Sequence, residues 1–184
     1  FGFLSKYLFV YLLISVALLF VYLIFVKKIK NFDFKYVIII EIFLIFLVPH
    51  LIWLYQNEFI TVKYGLQRTG LEDASIIDHI KFPLIFLFKQ LGILVPFLFL
   101  VWLLVKKFRI RFNFKDKKFI FLIFISILPL ALMFLTSFIM GSKIRTMWMT
   151  PFYLFFGTFF IYLLKSQFNT KNVNSFMFSF IILF

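Results

Sequence analysis

Apolar runs about twenty residues long, separated by short basic segments, repeat along the whole of this 184-residue chain. A bilayer core of about 30 Å takes about 20 apolar helical residues to cross, so this spacing dictates a polytopic membrane protein before any motif is considered. Five runs qualify: Tyr7 to Val26, Tyr36 to Leu54, Pro83 to Val105, Phe119 to Ile139 and Met147 to Leu164. A partial sixth starts at Phe176 and has nine residues, too few to span. Helices are expected throughout, because lipid offers an unpaired backbone group no partner. The expected fold is therefore all-α, a transmembrane bundle of five spans plus a partial sixth, forming one multi-pass region over residues 1–184.

Composition points the same way. Hydrophobic residues make up 64% of the chain and charged ones 15%, far from the balance of a water-soluble domain. The formal charge of +13 would suggest nucleic acid in a soluble protein. In a membrane protein the same excess follows from the enrichment of Lys and Arg in cytoplasmic loops, so no nucleic-acid partner is expected. There is no Cys, which excludes disulfides, thiolate-bound metal and a thiol nucleophile, and the only histidines are His50 and His79. Tyr7 to Val26 is longer than a usual signal core and has no small-residue cleavage site after it. The opening at Phe1 and the short apolar close suggest a piece of a longer chain.

Sorting the cations orients the bundle. Lys27, Lys28, Lys30 and Lys35 fill the first connection, seven cations from Lys106 to Lys118 the third, and Lys165 and Lys171 the fifth. Loops 27–35, 106–118 and 165–175 are thus expected in the cytoplasm, and 55–82 and 140–146 outside. The loop from Lys107 to Lys115 alternates cation and apolar residue, as an inner-leaflet surface segment would. Within 55–82, Ser75 to Asp78 has capping-box spacing, and Ile76, Ile77, Ile80 and Leu84 recur at helical spacing. The pattern predicts a short interfacial helix before Pro83 turns the chain inward.

Lys143 and Arg145 lie in a tight turn between two spans on the side that the orientation rule keeps poor in cations. They suit a lipid phosphate, Arg by bidentate hydrogen bonds and Lys as a point charge, or they snorkel to ordinary headgroups. Trp148 and Tyr153 follow around Pro151, as a groove lining or as interfacial anchors. Pro49, His50 and Trp53 end the second run on the same side. Lys89, Gln90 and Glu41 fall inside spans; Lys89 would snorkel or pair with Asp78 or Glu58. No phosphate-cradling Gly loop, zinc motif or Ser-His-acid grouping is legible.

Taken in order, Pro49-x-x-x-Trp53, Asn57-x-Phe59-x-Thr61, Arg68, Phe88-x-Gln90, Pro96, Lys143 and Trp148-x-x-Pro151-x-Tyr153 form a pattern. It resembles the C-terminal membrane half of bacterial polyprenyl-phosphate-sugar glycosyltransferases of the type-C fold. These are related to protein O-mannosyltransferases and lipopolysaccharide-core sugar transferases, and the likeness covers residues 37 to 165. It implies an enzyme of the bacterial cytoplasmic membrane that moves a sugar from a polyprenyl-phosphate donor to a hydroxyl of a glycan, lipid or protein acceptor outside the cell membrane. Its catalytic acid belongs to a first outer loop, which is expected before Phe1, so no catalytic residue is assigned here. Lys143 matches a basic position near the donor phosphate, and Arg145 extends that site chemically. Trp53, Arg68, Trp148 and Tyr153 become candidates for the substrate groove. No cofactor is implied, and the metal requirement stays open. Leu54-Tyr55 departs from the family, where Asn often follows the Trp. A transporter of lipid-linked glycans or a non-catalytic membrane subunit is the competing expectation.

Overall fold

The computed structural model describes residues 7–28, 37–69, 75–105, 110, 112–168 and 172–183. Lys30, Lys35, Lys106, Lys107, Arg109, Arg111 and Lys171 of the expected inner loops, and Glu72 and Asp73 of the outer one, lie outside the described residues. The structure is 82% helical and has no strand among the described residues. In chain order the helices are α1 (Val10–Phe25, preceded by a 3-10 turn Tyr7–Phe9), α2 (Val37–Gln56), α3 (Ile60–Gln67), α4 (Asp78–Leu104), α5 (Lys117–Ser126) and α6 (Leu128–Met140). A 3-10 segment Thr146–Phe155 then leads into α7 (Phe156–Leu164), and α8 (Val173–Leu183) follows.

Four helical stretches are long and apolar enough to cross a membrane: Tyr7–Phe25, Asp78–Leu104, Lys117–Met140 and Thr146–Leu164. A fifth is reached if α2 and α3, bent by 78° against each other, count as one broken span. The bend is a Schellman closure of α2. The Phe59 N–H reaches the Leu54 carbonyl at 2.8 Å, the Glu58 N–H reaches Tyr55 at 3.2 Å, and Asn57 Nδ2 donates to the Trp53 carbonyl at 2.8 Å. Glu58 and Phe59 both hold positive φ, an expensive conformation for residues with a Cβ.

Lys117–Met140 runs as one span although its helix assignment breaks at Ile127. Pro129 has no N–H for the carbonyl one turn back, while Ile127 to Ile123 and Ala131 to Ile127 keep the ladder going on either side. The sixth apolar run forms α8, eleven residues long and too short to span.

The interfacial helix expected from Ser75 is not a separate element. Its helical spacing is absorbed into the first turns of α4, which passes through Pro83 without ending. The short helix of segment 55–82 is α3 instead. The capping box is half made: the Asp78 carboxylate accepts from the Ser75 N–H at 2.9 Å, but the Ser75 hydroxyl donates to that carboxylate at 2.8 Å rather than accepting from the backbone.

Packing is concentrated in α4, α5, α6 and the Thr146–Leu164 stretch, with α1 laid against α5 and α6. One cluster joins Phe86, Met133, Met149 and Phe152; a second joins Phe119, Leu122, Ile125 and Phe159; a third joins Val101, Val105 and Leu164. Ser15, Ser126 and Ser137 are fully buried, the small residues that let helices approach closely where lipid supplies no hydrophobic drive. The α2–α3 pair stands apart from this bundle, and Leu54 is its one buried side chain among the described residues.

Candidate functional site

The chain crossings sort the loops to two ends. At one end, the Tyr7 hydroxyl meets His50 Nε2 at 3.1 Å and Thr61 Oγ1 at 2.8 Å, tying the start of α1 to both arms of the bent pair. The His79 ring meets the Phe138 carbonyl at 2.9 Å, and the Lys143 N–H donates to the Thr69 carbonyl at 2.9 Å. The loop at 140–146 and the segment after α3 are thereby brought together.

The 140–146 turn has a rigid base and a free tip. Gly141 closes α6 in the left-handed conformation, at φ 61°, where a glycine carries no Cβ penalty. The buried Ser137 hydroxyl then donates to the Ser142 carbonyl at 2.7 Å. Lys143 and Arg145 are exposed beyond this base, and among the described residues neither side chain has a hydrogen-bond or ion-pair partner. Arg68 is exposed next to Thr69, with its guanidinium 5.0 Å from the Tyr64 ring centroid. Arg68, Lys143 and Arg145 thus share one end, where among the described residues Glu58 is engaged with Lys63 at 3.7 Å and Asp78 with Ser75. Such a group of uncommitted donors can take an anion such as phosphate. Among the described residues there is no group of three or more His, Cys, Asp or Glu that could hold a metal ion.

The aromatic candidates separate. Trp148 and Tyr153 pack against the Phe86–Met133 cluster, and the Tyr153 hydroxyl donates to Oε1 of the buried Gln90. Trp53 stays with the bent pair, 44% exposed and stacked on His50 with ring centroids 6.0 Å apart and planes 13° from parallel. Lys89 is exposed on the outer surface of α4 and pairs with neither Asp78 nor Glu58, which are turned to Ser75 and Lys63. Glu41 is exposed as well.

Sequence reasoning missed the part of Tyr7 and Thr61 in fixing this end, and the Gln90 to Tyr153 bond. A tyrosine at a helix start or a glutamine in a span carries no local mark of its partner. Comparison with protein-family models, curated proteins and solved structures finds no match to any of them.

Proposed function

We propose that this multi-pass membrane protein is a glycosyltransferase component of the bacterial cytoplasmic membrane. It binds a polyprenyl-phosphate-linked sugar at the Lys143–Arg145 turn on the extracytoplasmic side, for transfer to an acceptor hydroxyl of a glycan, lipid or protein. Loops 27–35, 106–118 and 165–175 face the cytoplasm in this reading, and 55–82 and 140–146 face outward. The supporting observation is that Lys143 and Arg145 are exposed and, among the described residues, unpartnered, on a turn hydrogen bonded to the Arg68 segment. Charged donors carried on that turn would stabilise the phosphate as negative charge develops on it when the sugar leaves. Trp53 offers an exposed aromatic face for a sugar ring, whereas Trp148 and Tyr153 support the turn from the core.

The test has two readouts. Retention of polyprenyl phosphate by the protein in nanodiscs should fall about a hundredfold in a Lys143→Ala, Arg145→Ala double variant, as loss of two charge-assisted contacts predicts, while Lys143→Arg retains most of it. Sugar transfer from the lipid donor in native membranes should fall with it. Unchanged retention would remove the turn from the site. Retention without transfer, together with movement of the lipid-linked glycan across the bilayer, would favour the transporter reading. The 78° break between α2 and α3 is the feature that points that way, since broken helices commonly frame transport sites.

A further inference from the structure

The opposite end of the bundle carries polar chemistry of a different kind. Asp116 caps α5, its Oδ1 accepting the Lys118 N–H at 2.9 Å, while its Oδ2 accepts the Tyr162 hydroxyl from the end of α7. The Lys165 ammonium stands over the face of the same tyrosine, 4.4 Å from the ring centroid. No ion pair closes between Lys165 and Asp116, so the two charges flank Tyr162 without joining. Around them lies a half-open cleft of about 200 Å³ lined by Asn113, Asp116, Phe119, Tyr162, Lys165 and Ser166. Phe119 is buried and stacks on Phe159, which makes the cleft floor part of the core rather than a loop surface.

Its position is also informative. One wall is the start of the span Lys117–Met140 and another is the end of the span Thr146–Leu164, so the cleft sits where hydrocarbon gives way to headgroups. Among the described residues its charged lining is one acid and one cation, with the Tyr162 phenol, a neutral amide and a hydroxyl beside them. A purely anionic ligand would meet the Asp116 carboxylate, and a purely cationic one would meet Lys165. A ligand with a phosphate and an ammonium separated by a short linker satisfies both. The Tyr162 hydroxyl, then the Lys118 N–H, hold the Asp116 carboxyl below its usual range, so it is ionised at neutral pH. Each carboxylate oxygen has more than one lone-pair site, leaving acceptor capacity after the two bonds it already makes.

We propose that this cleft binds the phosphoethanolamine head group of a membrane lipid. The lipid phosphate is set on Lys165 with help from Asn113 and Ser166, and its ammonium on Asp116. The exposed Lys117 and Lys118 beside the cleft draw the phosphate toward this surface, and the ammonium contact on Asp116 selects among phosphate-bearing lipids. The site is independent of the donor site at the other end.

The experiment is native mass spectrometry of the purified protein with three lipids of matched chains. These carry phosphoethanolamine, phosphocholine, which lacks N–H donors, and phosphoglycerol, which lacks the cation. The phosphoethanolamine lipid should bind about tenfold more tightly than either of the others, the increment of one charge-assisted contact. Asp116→Asn keeps a good helix cap, so the fold is preserved, and should bring that lipid down to the phosphocholine level. Lys165→Gln should weaken all three alike, and Lys165→Arg should restore them. Equal binding of the three lipids, or an unaltered preference in Asp116→Asn, would overturn the proposal. Displacement by free phosphoethanolamine at the lipid's own concentration would overturn its assignment to a membrane lipid.

Discussion

The helical bundle and the bent α2–α3 pair have nearly the same apolar composition and are held in opposite ways. In the bundle, side chains such as Met133, Met149 and Leu164 have no exposed surface, and the helices meet in three buried clusters. In the bent pair, most side chains from Ile42 to Ile52 are exposed, and at one end Tyr7 bonds His50 and Thr61, the Lys143 N–H bonds Thr69, and Leu54 is buried. Hydrophobicity alone therefore does not decide which helices pack in a membrane. Small buried residues and complementary knobs assemble the bundle, whereas a few hydrogen bonds tether the arm.

That contrast can be broken by experiment. The largest effect should come from Met133→Ala, which leaves a void in the bundle and should cost about 2 kcal/mol of unfolding free energy, read by denaturation in mixed micelles. The mobility of a spin label at Gln56 on the arm should not change. Next, Gly141→Ala places a Cβ on a residue at φ 61° and should cost about 1.5 kcal/mol while loosening the 140–146 turn, visible as faster hydrogen exchange at Lys143. Tyr7→Phe removes the hydroxyl that bonds His50 and Thr61, each bond contributing about 0.6 kcal/mol in a membrane protein. It should raise the mobility of the Gln56 label and barely move global unfolding. A loss of stability as large as that of Met133→Ala would show that the arm belongs to the bundle after all.

The smallest effect concerns pH at the other end. Tyr162 and the Lys118 N–H hold the Asp116 carboxyl below its unfolded value of 3.8. Its contribution is therefore complete above that value and disappears as pH falls through the lower, folded one. Between pH 7 and 5 this group should leave stability unchanged, and below about pH 4 stability should drop. Tyr162→Phe should show a shallower drop, measured by the same unfolding assay at both pH extremes.

Much of the architecture was legible in the sequence because hydrocarbon thickness sets a length that composition alone can meet. Span ends fell within a few residues for Tyr7–Phe25 and Lys117–Met140. The start of α4 was misplaced because Pro83 suggests a boundary, yet a proline in a membrane helix is tolerated where neighbouring groups satisfy the freed carbonyl. The second run was read as ending at Leu54, two residues before α2 stops at Gln56, but the left-handed closure that follows was not legible, since Glu58 and Phe59 are poor residues for that backbone and give no turn signal. At the candidate site, Lys143 and Arg145 stood out because they run against an orientation rule. The pairing of Tyr153 with Gln90, 63 residues apart, follows only from the fold.

One feature of the last span bears on bilayer thickness. Thr146–Phe155 is a ten-residue 3-10 run, far longer than the three or four residues usual for that helix. A 3-10 helix rises about 2.0 Å per residue against about 1.5 Å in an α-helix, so the nineteen residues of Thr146–Leu164 reach about 33 Å instead of about 28 Å. The tighter winding turns a segment slightly too short for a 30 Å hydrocarbon core into one that matches it without thinning the lipid around it.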